Sequence, residues 1–199
     1  MLLGKAKITE AIQSPTNRPG VDVVPATHRL GSAERELSTD ISFGFSLRRA
    51  IADLPPQVYR YIVIDTHPGF GALTRVGLAA SQDVLIPTKP SLWSMEGVWE
   101  MHQTVEQTRT DLMLNGDGPH TLGALLTIVE KSHDDAVAFA QERFGEILLP
   151  FRFPKSKSAE RSENNAGPLT SMVGGQRLWA IFEALAAYVD EHALAATAR

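Results

Sequence analysis

Cysteine is absent from the 199 residues, which excludes disulfides, thiolate zinc sites and thiol nucleophiles. No window approaches the ~20 apolar residues that a membrane-spanning helix needs. No charged stretch at the N-terminus leads into a long apolar run, so no secretory signal is read and the cytoplasm is the expected compartment. Neither sign of charge dominates: 19 Lys and Arg against 23 Asp and Glu give a formal net charge of −4. With that balance, nucleic-acid binding would need a local basic patch. Neither a G-x-S-x-G elbow nor an H-E-x-x-H run occurs, which leaves serine-hydrolase and zincin chemistry without support. Five of the histidines (His28, His102, His120, His133 and His192) are scattered without metal-ligand spacing. There are no internal repeats and no low-complexity linker.

The chain is 43% hydrophobic and 21% charged, an ordinary globular composition that suggests a single domain over residues 1–199. Short apolar runs alternate with longer helical patterns. Val21 to Pro25 reads as a short strand after a turn-rich Ser14 to Gly20. Phe45 to Leu54 reads as a helix stopped by Pro55-Pro56. Tyr61 to Ile64 (YIVI) is a continuous β-branched run of the kind covered on both faces. Ala72 to Ser81 is a helix candidate, Val84 to Ile86 a buried strand, and Leu92 to Leu114 a long helix. Asn115 to Pro119 is a turn. Leu122 to Val129 is a strong buried strand, Asp134 to Phe144 a helix and Ile147 to Leu149 a strand. Phe151 to Pro168 reads as irregular, and Gln176 to Val189 as an amphipathic helix. This alternation predicts a three-layer α/β/α fold with a mainly parallel sheet. Trp93, Met95, Val98 and Trp99 are expected to be packing residues.

The segment richest in chemistry is Tyr59 to Gly71, YRYIVIDTHPGFG. A buried strand would deliver Asp65 at its C-terminal end, the edge where open α/β sheets bind ligands. A carboxylate there can hold a magnesium-bound water. Gly69 and Gly71 would let the following loop reorient around a phosphate. The competing reading is an Asp that only caps the turn before the next helix. His67 is either an exposed loop residue or a base titrating near neutrality.

The run YIVIDTHPGFGALTRVGLAASQDVLIPTKPSLWSMEGV resembles the switch II segment of ParA/Soj/MinD-type partition ATPases, although His67 stands where that pattern has Pro. Val21 to Ser38 is similar to the family's strand-Pro-(Ala/Ser) segment and acidic helix. Leu122 to Thr127 resembles its Gly-(Ile/Val)-Leu-Leu-Thr strand, and Leu149 to Pro168 its Ile-Pro-Arg to Glu-Ala-Pro segment. The resemblance runs from about Leu2 to Val189. It implies a P-loop NTPase-like fold and an ATP- and Mg2+-dependent dimer that binds non-specific DNA and a ParB-like centromere-binding partner at the nucleoid. Carried onto this chain, it makes Asp65 the residue that holds magnesium through water. Thr66, Pro68 and Gly69 become nucleotide-responsive, and Pro154, Lys155 and Ser156 would line the base, with Lys155 where the family has Arg. Arg152, Lys157 and Arg161 become candidates for DNA phosphates. Glu130 follows its strand where the family often has Asp. A MinD-like membrane-cycling role lacks support, because Ala193 to Arg199 has little basic amphipathic character.

The family's Lys-Gly-Gly-x-Gly-Lys-(Thr/Ser) loop does not occur among these residues. Gly4-Lys5-Ala6 has no preceding glycines and no following hydroxyl, and the family's Asp-x-Asp-Pro-Gln motif is likewise not found. The sequence is therefore expected to begin downstream of both motifs. A vacancy would lie beside the Tyr61–Ile64 strand, and no catalytic residue of the phosphate loop would lie in the chain. Within the resemblance, the alternative is a non-catalytic remnant or an interaction module that binds no nucleotide.

Overall fold

The computed structural model describes residues 6–15, 19–27, 30–37, 44–112, 118–165 and 167–196. His28, the Gly4-Lys5 pair, parts of the two expected turns and the end of the Ala193–Arg199 stretch lie outside them. The chain divides into two compact units, Met1–Gln82 with Thr104–Pro119, and Asp83–Gln103 with His120–Arg199.

The first unit holds α1 (Ile8–Ala11), α2 (Leu30–Leu37), α3 (Ser46–Ala52) and α4 (Ala72–Ala80). Helix α2 coincides with the acidic helix the resemblance implies, and α3 and α4 lie where the apolar spacing places them. Val21 to Pro25 does not form a strand. It contributes only an isolated antiparallel bridge, Gln13 to Val23, closed by two backbone hydrogen bonds of 2.8 Å. Val21, Val23 and Val24 are exposed, so these valines lack the burial that stabilises a sheet. Tyr61 to Ile64 also differs from expectation, since none of its residues joins a ladder. Val63 is 90% exposed, and Tyr61 and Ile62 are exposed as well. A strand exists only through pairing, and no described segment supplies the neighbouring backbone.

The second unit carries a parallel sheet in the order β1-β2-β3, formed by β1 (Asp83–Thr88), β2 (His120–Val129) and β3 (Leu148–Pro154). Successive residues of the central strand point to opposite faces. Ala124 and Leu126 join Ile86, Met95, Val98, Val137, Ala140 and Phe144 in one cluster, which places α5 (Leu92–Asp111) and α6 (Asp134–Phe144) on that face. Leu125 packs with Leu149, Phe153 and Leu178, so α8 (Gly175–Ala196) covers the other face. Helix, sheet and helix make the three expected layers. The close fit of β2 to β3 depends on Gly123, where an added Cβ would lie 2.4 Å from Leu149 Cγ.

The stretch 151–168 is more ordered than its sequence suggested. Strand β3 runs on to Pro154 despite Pro150, because it is an edge strand and needs fewer ladder donors. Helix α7 (Lys157–Asn165) follows, with Ser156 Oγ accepting the Ala159 N–H at 3.4 Å as an N-terminal cap. Of the expected packing stripe on α5, Met95 and Val98 are buried, whereas Trp93 is 84% exposed and Trp99 is also exposed. Trp99 lies beneath the Arg143 guanidinium and beside the His102 ring.

Candidate functional site

The loop after Ile64 owes its position to α4. A Cβ on Gly77 would stand 2.9 Å from Thr66 Cγ2 and 3.4 Å from Ile64 Cγ2, so the bare helix surface at this glycine lets residues 64–66 lie close against α4. The Thr74 hydroxyl reaches the His67 carbonyl at 3.4 Å, and Thr74 is itself buried. Gly69 has φ of +142°, a backbone conformation costly for a residue with a side chain. Asp65, Thr66, His67, Pro68 and Gly69 are all exposed. The Asp65 carboxylate has no hydrogen bond or ion pair among the described residues. It does not cap α4, whose N-cap is Gly71.

That capping function falls to Glu34, which the sequence did not single out. Its Oε1 accepts the Leu73 N–H at 3.1 Å, and it leaves only 2.5 Å for a Cβ on Gly71. With the partners 39 residues apart, no local pattern points to the pair.

In the second unit, Pro154 ends β3 and the Lys155 N–H donates to the Val129 carbonyl at 3.1 Å. Lys155 Nζ donates to Glu130 Oε1 at 3.0 Å, which raises its pKa above the ordinary lysine value through that hydrogen bond and the attraction behind it. Both side chains are largely solvated, so the pair contributes little stability. It does place a cation and an anion together at the carboxyl ends of β2 and β3. One residue before Val129, Ile128 has φ of +56°, a left-handed conformation rare for a β-branched side chain. Ser156 is occupied as the cap of α7. Arg152 is exposed on β3. Lys157 and Arg161, also exposed, stand one turn apart on α7. The same helix is anchored by buried Ser158, whose hydroxyl donates to the Val173 carbonyl at 2.7 Å.

The family model described as "AAA domain" matches residues 1–116. Sporulation initiation inhibitor protein Soj of Bacillus subtilis is 37% identical over 120 residues, covering 58% of this chain and 47% of Soj. Chromosome partitioning protein ParA of Myxococcus xanthus is 35% identical over 158 residues, covering 75% of this chain and 53% of that protein. The chain belongs to the ParA/Soj partition ATPase family. This ParA/Soj-family chain spans about half the length of the curated relatives it matches. The cobyrinic acid a,c-diamide synthase of Mycobacterium smegmatis, solved with ADP and magnesium, superposes with TM-score 0.65 at 25% identity, covering 83% of this chain and 71% of that one. McdA of Cyanothece, in its ATP complex, shares the fold with TM-score 0.80 at 18% identity, covering 95% and 73%. The parallel α/β architecture is thus that of ParA-like P-loop NTPases. No helix among the described residues is long and apolar enough to cross a membrane.

Proposed function

We propose that residues 1–199 form one ParA-like nucleotide-binding domain of a plasmid or chromosome partitioning protein, which works in the cytoplasm at the nucleoid as an ATP- and Mg2+-dependent dimer. The observation that carries the reading is Asp65, an exposed and unengaged carboxylate at the head of a Gly/Pro loop seated on α4, in a chain of this family. A single carboxylate suits Mg2+, which keeps most of its waters and takes other ligands from nucleotide phosphates. Asp65 would hold that ion through water, Thr66, Pro68 and Gly69 would respond to the nucleotide, and Pro154, Lys155 and Ser156 would lie against the base. The bound ion would neutralise phosphate charge. Arg152, Lys157 and Arg161 would contact phosphates of non-specific DNA, and a ParB-like centromere-binding protein would be the partner.

Anisotropy of a labelled random-sequence duplex tests the DNA assignment. Replacing Arg152, Lys157 and Arg161 together with alanine is expected to weaken binding about tenfold and to flatten its salt dependence by up to about three in slope. Unchanged affinity in the triple variant would remove these residues from the interface. The exposed Tyr61–Ile64 run favours a second reading, an interaction module that binds no nucleotide. That reading gains if ATP with Mg2+ alters neither DNA affinity nor the exchange of amides in residues 65–71.

A further inference from the structure

The amide groups that open α4 have no local partner for their charge. The N-cap is Gly71, without a side chain, and the first turn of the helix contains no acidic residue. A helix start leaves its first N–H groups unsatisfied and carries a partial positive charge. The requirement is met from 39 residues away, by the Glu34 carboxylate of α2 on the Leu73 N–H. Gly71 is shaped for this contact, since a side chain there would collide with the carboxylate oxygen. The 65–71 loop is therefore fastened at both ends. Residues 64–66 lie on Gly77, and the Thr74 hydroxyl holds the His67 carbonyl. Where loop becomes helix, Glu34 is the one side chain among the described residues that ties an α4 amide.

We infer that Glu34 is a latch through which α2 controls the mobility of the Asp65–Gly71 loop. A charge-assisted hydrogen bond to a helix-opening amide is among the stronger single contacts a side chain can make. It joins two elements that are distant in sequence, so displacement of α2 releases the loop and a moving loop displaces α2. Calling the loop a switch rests on the function proposed above. The fastening itself rests only on the geometry.

Hydrogen exchange of the full chain, read by mass spectrometry and without nucleotide, tests the latch. Glu34→Ala is expected to speed exchange at Leu73 and through residues 65–74 by about fivefold or more, with β2 amides unchanged. Gly71→Ala, which pushes the carboxylate away, should reproduce that pattern. Glu34→Gln keeps an oxygen acceptor without the charge and should give a smaller acceleration. Unchanged exchange over 65–74 in all three variants overturns the latch, as does acceleration equal in β2 and the loop. Failure of ATP or DNA binding would sink the proposed function and leave this result standing.

Discussion

At the scale of single residues, Asp22 of the first unit collects two hydrogen bonds outside the candidate site. The Asp22 carboxylate accepts hydrogen bonds from Ser14 Oγ at 2.5 Å and Tyr59 OH at 2.6 Å. The Ser14 bond and then the Tyr59 bond hold its pKa below the ordinary 3.8. The same contact raises the Tyr59 phenol above 10.0. The pair ties the bridged stretch 13–23 to the chain just before Tyr61. A carboxylate depressed in the folded state contributes stability at pH values above its unfolded value of 3.8. That contribution fades as pH falls through the lower folded value. Tyr59→Phe is expected to move the Asp22 titration, followed by carboxyl carbon NMR, toward 3.8, and to reduce the part of acid unfolding that Asp22 accounts for. An unmoved titration would assign the depression to Ser14 alone. A different kind of residue, Glu34, shows what sequence reading misses. Its type and position are unremarkable, and its role appears only when α2 and the start of α4 are brought together.

At the scale of elements, legibility followed burial. Leu122 to Val129 is readable because its buried centre, Gly123 to Leu126, is covered by α5 and α6 on one face and α8 on the other, which favours a continuous apolar run. Tyr61 to Ile64 has the same composition without the ladder, since composition records what a run is able to bury and not whether a partner is beside it. Helix α7 was invisible for the opposite reason. It has no apolar stripe, and serine contacts at Ser156 and Ser158 anchor it. The candidate site divides the same way. Asp65 and Gly69 stand in a contiguous motif, whereas the Glu130–Lys155 pair joins residues 25 apart. The β2–β3 pairing offers a direct test of packing. Gly123→Ala drives a methyl into buried Leu149 and is expected to cost about 1–3 kcal/mol in denaturant unfolding. In a Leu149→Ala background the same methyl has room, so its added cost should fall by about 1 kcal/mol or more, leaving the part due to the positive φ of residue 123. Equal costs in both backgrounds would show that Leu149 is not what Gly123 accommodates.

At the scale of the whole molecule, the features proposed above as a nucleotide switch and those that carry out phosphoryl transfer separate. The 199 residues present an exposed carboxylate and a Gly/Pro loop, but no G-x-x-x-x-G-K-S/T run. Phosphoryl transfer depends almost entirely on positioning and on charge placed around the phosphates, with little covalent chemistry left to the protein. Backbone amides and lysines of such a loop do that work, and removing even one well-placed donor from an active site costs about 10²–10³ in rate. Asp65 with a magnesium ion would neutralise charge on one side of the phosphates only. The purified 199-residue polypeptide is therefore expected to release phosphate from ATP with Mg2+ no faster than a protein-free control, and Asp65→Ala should leave that rate unchanged. A rate above the control that falls in Asp65→Ala would mean that these residues assemble a phosphate cradle of another form.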